Sequence, residues 1–287
     1  MSRQKTSPKD SSDTTGQSNQ MRLRLITGLL MAAATIGLVF VGPWPFFARV
    51  ANVAAIAAWE WHGLTTRNAD PLRLAVQILV IAVAGYLTMS GSASAGLAVI
   101  TIGVIGLLLF PGPGGNRFWS AFGVLYIGLP VVALIWLRLD LVFGVSAVLF
   151  LFFVVWASDS GAYFVGRTVG GPPLAQALSP HKTISGAIGG LISSALAAFL
   201  FALWLGSGSP FNLMLLGIGL SLCAQLGDII ESAIKRSFDA KDSSQLIPGH
   251  GGLLDRIDAL LFAAVAAALV ALMRGSAHPG EALLIWS

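Results

Sequence analysis

Asp228, Ser232 and Lys235 stand at i, i+4 and i+7 at one end of an apolar run, and Asp255 and Asp258 stand at i and i+3 at the start of the next. At helical spacing each set shares one face. The first stripe offers a carboxylate, a hydroxyl and an ammonium, a combination suited to metal and phosphate. The second offers two hard oxygen ligands one turn apart, the kind of set that holds Mg²⁺ against substrate phosphates. Helix-dipole compensation is the plainer account of acids in a first turn, but it explains one acid better than two acids facing a third. Between the two runs lies IPGHGGLL, residues 247–254, in which Gly249, Gly251 and Gly252 permit close backbone approach and leave amides free to face an anion. The loop leads into a helix N-terminus, itself an anion site, with Lys235, Arg236, Lys241 and Arg256 nearby in sequence. A second polar stretch repeats the design: Asp159, Ser160 and Gly161 end one apolar run, and Ser179 to Thr183, SPHKT, supplies hydroxyls and Lys182 before another. His250 has no Cys or activated Ser as partner and reads as a loop hydrogen-bond donor, and one cysteine with scattered histidines disfavours zinc. The chemistry this pattern predicts is phosphoryl or nucleotidyl transfer at a metal-dependent site for phosphorylated substrates.

These residues sit in a chain built for a membrane. Of 287 residues, 55% are hydrophobic and 10% charged, and the mean hydropathy is +0.80, which excludes an ordinary soluble domain. The stretch 226–258 nevertheless holds six of the thirteen acidic residues, Asp228, Glu231, Asp239, Asp242, Asp255 and Asp258. Charge near bilayer depth is costly, so such a cluster marks function. The polar, aperiodic residues 1–21 predict a disordered cytoplasmic tail. The run from Leu23 to Val41 has span length and no small-residue cleavage pattern, and predicts a retained helix. Further spans are expected near 45–64, 74–90, 93–110, 118–138, 140–158, 184–206, 210–230 and 254–273, giving about nine in an all-α polytopic protein. With the tail inside, fourteen of the seventeen Lys and Arg residues are cytoplasmic and Arg49, Arg138 and Arg274 are not. Both polar connections then share the cytoplasmic face, and the site forms at the cytoplasmic ends of the C-terminal spans.

The net charge of +4 is explained by basic residues at span ends, without nucleic acid as a partner. Trp44, Trp59, Trp61, Trp119, Trp136, Trp156 and Trp204 are read as interfacial belts, and PGPGGN at 111–116 is a turn that lacks the Lys-Ser/Thr of a phosphate loop. Cys223 reads as a small hydrophobe. Glu60, in WEWH, leaves two readings open: snorkelling at the interface, or a role beside the site.

Ser232-x-x-Lys235-Arg236, Lys241-Asp242 and Pro248-x-His250-Gly251-Gly252-x-x-Asp255-Arg256-x-Asp258 together closely resemble the signature of the phosphatidate cytidylyltransferases, or CDP-diacylglycerol synthases. Gln225-Leu226-Gly227-Asp228, Asp159-Ser160-Gly161-Ala162-Tyr163 with Gly166-Arg167, and Ser179-Pro180-x-Lys182-Thr183 are similar to further family motifs, so the resemblance is strong over about 156–260. Pro172 and Pro173 stand where a basic residue is usual, and Ile184-Ser185 where Trp-Glu is frequent. The resemblance implies transfer from CTP to phosphatidate, giving CDP-diacylglycerol and diphosphate. It also implies Mg²⁺, with a second cation left open, and a homodimeric multi-pass enzyme in membrane lipid, in the bacterial inner membrane. On this reading Asp228, Asp255 and Asp258 are metal ligands, and Lys235, Ser232, Asp255 and Asp258 are catalytic. Ser179, Lys182, Thr183, Arg236, Lys241, Asp242, His250, Gly251, Gly252, Arg256 and Asp159 contact substrate. Residues 22–138, about five spans, form an N-terminal membrane region, and 139–287, about four spans, the catalytic one. A CTP-using polyprenol or phytol kinase is the alternative enzyme, and it needs a base for its hydroxyl. A transporter would place polar residues in both halves, whereas here they lie in one.

Overall fold

The computed structural model describes residues 36–37, 39–66, 70–109, 116–176, 178–247, 251–275 and 278–286. The expected tail, most of the span at 23–41, and His250 lie outside them. The protein is mostly helical. In chain order the helices are α1 (Pro43–Thr65), α2 (Pro71–Met89), α3 (Ala93–Leu109), α4 (Arg117–Arg138), α5 (Gly144–Val169), α6 (Ile184–Leu205), α7 (Pro210–Ser237), α8 (Leu254–Met273) and the short α9 (Pro279–Leu284). Prolines open α1, α2 and α7, where the missing N–H costs nothing. Asp70, Asn116, Thr183 and Ser209 cap α2, α4, α6 and α7 with their side-chain oxygens, and Gly206 closes α6 in the left-handed conformation.

Six helices, α2 and α4 through α8, are long and apolar enough to cross a membrane, and the 17-residue α3 is apolar but shorter. The expected spans at 45–64 and 93–110 are helices, α1 and α3. α1 to α4 pack together, α5 to α8 pack together, and α4 against α8 joins the groups. α4 is the most enclosed of the six.

Four features depart from the sequence reading. A two-stranded antiparallel hairpin, β1 (Pro173–Ala175) and β2 (Ser179–Thr183), interrupts the all-α plan, with Pro173 opposite Thr183. It is entered through Gly170 and Gly171 at φ 66° and 116°, angles that glycine adopts readily. Asp159 to Gly161 do not end their span, because α5 continues to Val169. The reason lies in α6: glycines bring the two backbones together, so that a Cβ on Gly161 would lie 2.7 Å from the Gly189 carbonyl and one on Gly186 would lie 2.8 Å from that of Ala162. α7 likewise runs on to Ser237, its last turns carrying Glu231 and Lys235 at i and i+4 and basic residues at the carbonyl end. Trp61 is not interfacial. It is 0% exposed, stacks on Tyr126 with centroids 5.0 Å apart and donates to the Trp119 carbonyl at 2.8 Å.

The close α5–α6 seam makes Gly161→Ala a test of the packing. The added methyl meets Ser193 Cβ at 2.5 Å as well as the Gly189 carbonyl, so the helices must separate. Thermal unfolding in detergent is expected to show a loss of about 1–3 kcal/mol, the usual range for overpacking. At the other end of the bundle Asp140 ties down α9 by accepting the Glu281 N–H at 3.0 Å. Burial pushes its carboxyl up, but the amides of Phe143, Glu281, Val142 and Gly280 outweigh this and hold it below the usual carboxylate range.

Candidate active site

The last turns of α7, the first turn of α8, the hairpin and the segment 241–247 converge on one cluster of charge. Asp228, Glu231 and Asp258 each point a carboxylate oxygen into a space where the three lie within 4.8 Å of one another. Glu231 is 1% exposed and Asp258 7% exposed. Glu231 Oε1 finds no hydrogen-bond donor among the described residues, although its burial demands one. Three convergent carboxylates with an unsatisfied buried oxygen fit a hard divalent cation.

Two lysines flank the acids. Lys182, carried by β2, pairs with Asp228 and draws the hairpin down onto α7. Lys235, 8% exposed, sits with Nζ 2.5 Å from Glu231 Oε2 and 2.7 Å from Asp255 Oδ1. The remaining oxygen of Asp255 accepts the Gly252 N–H at 2.8 Å, and both accept from Ser243 N–H, at 3.0 and 3.1 Å. Asp255 therefore joins Lys235 to the glycine loop and the 241–247 segment. The third corner of the carboxylate group is Glu231, one turn from Asp228, and not Asp255.

Beside the acids opens a cavity of about 220 Å³ lined by Leu178, Ser179, Ser232, Lys235, Arg236, Lys241 and Asp242. Three cations and two hydroxyls around such a space suit phosphate groups. Of the expected substrate residues, Ser179, Arg236, Lys241 and Asp242 lie on its wall together with the expected catalytic pair Ser232 and Lys235. Gly251, at φ 79°, and Gly252 bound the loop, where a Cβ at 251 would lie 2.9 Å from Asp255 Oδ2. Arg256 is exposed in the first turn of α8, and Asp159 is exposed on α5. Thr183 spends its hydroxyl on capping α6, accepting from Gly186 N–H at 3.1 Å.

Two acids at the site were not assigned by sequence. Glu231 was legible, since i and i+3 from Asp228 share a face. Glu60 was left between snorkelling and a role beside the site: it comes from α1, and its signal in the sequence was a charge near the end of an apolar helix.

The family model described as the cytidylyltransferase family matches residues 22–273. The chain is 37% identical over 247 residues to the phosphatidate cytidylyltransferase of Brucella suis biovar 1, covering 86% of this chain and 91% of that protein. It is 31% identical over 253 residues to the phosphatidate cytidylyltransferase of Bacillus subtilis, covering 84% and 94%. Against the Haemophilus influenzae protein of the same description the identity is 32% over 275 residues, again covering 84% and 94%. With the match running from the first apolar residues through α8, the chain belongs to the cytidylyltransferase family.

Proposed function

We propose that this protein transfers the cytidylyl group of CTP to phosphatidate, forming CDP-diacylglycerol and releasing diphosphate. The observation that carries the reading is the cation-lined cavity around Lys235, Arg236 and Lys241, contiguous through Lys235 with the carboxylate group. A phosphatidate phosphomonoester, with a second pKa of about 6, is largely dianionic at neutral pH and needs no strong base to become a nucleophile. One of its oxygens forms a bond to the α-phosphorus of CTP as the bond from that phosphorus to the diphosphate oxygen breaks. The work left to the protein is to bring together about four negative charges on the nucleotide and about two on the lipid, in line. Lys235, Arg236 and Lys241 neutralise phosphate oxygens, and Ser179 and Ser232 donate hydroxyls to them. Asp228, Glu231 and Asp258 would hold Mg²⁺, which when bound supplies charge stabilisation at the phosphoryl oxygens. Lys182, by its pairing with Asp228, fixes the hairpin wall of the cavity.

Incubation of the purified protein with labelled CTP, phosphatidate and Mg²⁺ is expected to yield CDP-diacylglycerol and diphosphate. Release of CDP with phosphorylation of an alcohol would replace this reading by a kinase.

A nine-span homodimer, with the N-terminus and the site on the cytoplasmic face, belongs to the same proposal. The orientation is supported by the excess of basic residues that it places on that face. In a Cys223-free protein, an impermeant thiol reagent applied to intact cells is expected to modify a cysteine at the exposed position Glu281 and to spare one at the exposed position Gln245. The opposite labelling pattern would invert the topology.

A further inference from the structure

Glu60 is 2% exposed, and no role assigned above employs it. Its carboxylate accepts four hydrogen bonds from a part of the chain at least 183 residues away. Oε1 accepts from Ser244 Oγ at 2.5 Å and from Leu253 N–H at 2.9 Å. Oε2 accepts from Leu254 N–H at 2.6 Å and from Ser243 Oγ at 3.3 Å. The two amides lie at the N-terminus of α8, where a helix cannot satisfy its own donors. The residue at its N-cap position, Leu253, has no side-chain oxygen to offer. The two hydroxyls follow Lys241 and Asp242 on the cavity wall, and the Ser243 N–H also holds Asp255. One carboxylate thus fixes the start of the helix that bears Asp255 and Asp258 and, at the same point, the segment that encloses the cationic cavity.

The surroundings are shaped to this contact. A Cβ on Gly252 would lie 2.9 and 3.0 Å from the two Glu60 oxygens and would collide with Ser243 Oγ. α1 is anchored one residue on, where Trp61 packs against α4 in space left by Gly123, whose Cβ would fall 2.5 Å from the Trp61 ring carbon Cδ1. Glu60 is therefore presented from a rigid support.

We infer that Glu60 is a positioning residue for cytidylyl transfer: an external cap, supplied by the N-terminal half, that sets α8 and the 241–244 segment in register with each other. The inference rests on the proposed function. A carboxylate suits the position because it offers acceptors alone to four donors, whereas an amide must turn its NH₂ toward some of them.

The test compares Glu60→Gln and Ser244→Ala with the parent in the full-length protein. It reads amide hydrogen exchange over 251–256, kcat, and KM for each substrate. In Glu60→Gln, exchange at Leu253 and Leu254 is expected to rise about tenfold, the scale of a lost cap. Turnover is expected to fall about 30-fold from the displaced geometry, with KM for phosphatidate within about twofold of the parent. Ser244→Ala is expected to produce the same changes at about threefold, and it carries the test should Glu60→Gln fail to fold. Unchanged exchange and turnover in both variants would overturn the inference. So would lower thermal stability with undiminished turnover in the folded fraction, which makes Glu60 a structural residue only. A parent protein with no transfer activity, in which Glu60→Gln still loosens 253–254, would remove the proposed function instead and leave the cap.

Discussion

Asp258→Asn is expected to lower turnover by about 10³-fold and to raise the Mg²⁺ concentration needed for half-maximal rate, the scale of losing one preorganised charge at a reacting phosphate. Asp255→Asn is expected to lower turnover by only about tenfold, with the Mg²⁺ requirement near that of the parent. The two acids are one helical turn apart, and the sequence marks both as metal ligands, with Asp255, in the first turn of its helix, the harder to replace. The structure separates them by what their oxygens face. Asp258 is turned toward Asp228 and Glu231, an arrangement of three carboxylates whose mutual repulsion a bound cation relieves. Asp255 is already saturated, with Lys235 Nζ on one oxygen and the Gly252 amide on the other, and Ser243 N–H shared between them. Asn at 255 keeps most of that geometry and weakens one ion pair. The check is to purify both variants, confirm parental thermal stability and elution, and titrate Mg²⁺ in the transfer assay. An Mg²⁺ requirement shifted equally in both would restore Asp255 to the ligand set.

Much of this was written in the chain. Residues that are apolar over span length have few alternatives to a helix in lipid, so the runs at 71–89, 117–138, 184–205 and 254–273 were bounded to within a few residues. The helical spacing of Asp228, Ser232 and Lys235 was enough to put cations and carboxylates at one end of α7. What could not be read was partnership across the sequence. Whether Asp255 or Glu231 completes the carboxylate group depends on the rotation of α8 against α7, which Gly227 sets by admitting Phe262, whose ring carbons would lie 2.7 and 2.9 Å from a Cβ there. The length of α5 was missed for a similar reason. Polar Asp159 and Ser160 look like the end of a span, but the α5–α6 glycine seam supports three further turns beyond the apolar stretch. Glu60 shows the limit most plainly, since its four donors lie in a segment that has no sequence relation to α1.

Lys235→Met is expected to lower both stability and turnover. Nζ lies 2.5 Å from a Glu231 oxygen and 2.7 Å from an Asp255 oxygen, and its removal leaves two carboxylates facing each other in a poorly solvated space. Breaking one side of a buried ion pair costs about 3–5 kcal/mol, because the charge left behind is uncompensated. Turnover is expected to fall at least about 10²-fold in the folded fraction, since Lys235 also lines the cavity where phosphate charge must be neutralised. The two effects are separable. Adding Glu231→Gln removes one orphaned charge, so the double variant is expected to regain roughly half of the lost stability, the non-additivity of residues in contact, while turnover stays low. Thermal unfolding of the parent, both single variants and the double variant measures the coupling directly. A double variant no more stable than Lys235→Met would mean that Glu231 does not depend on this lysine for compensation. Near-parental turnover in folded Lys235→Met would remove the ammonium from phosphate binding and leave it a structural counterion.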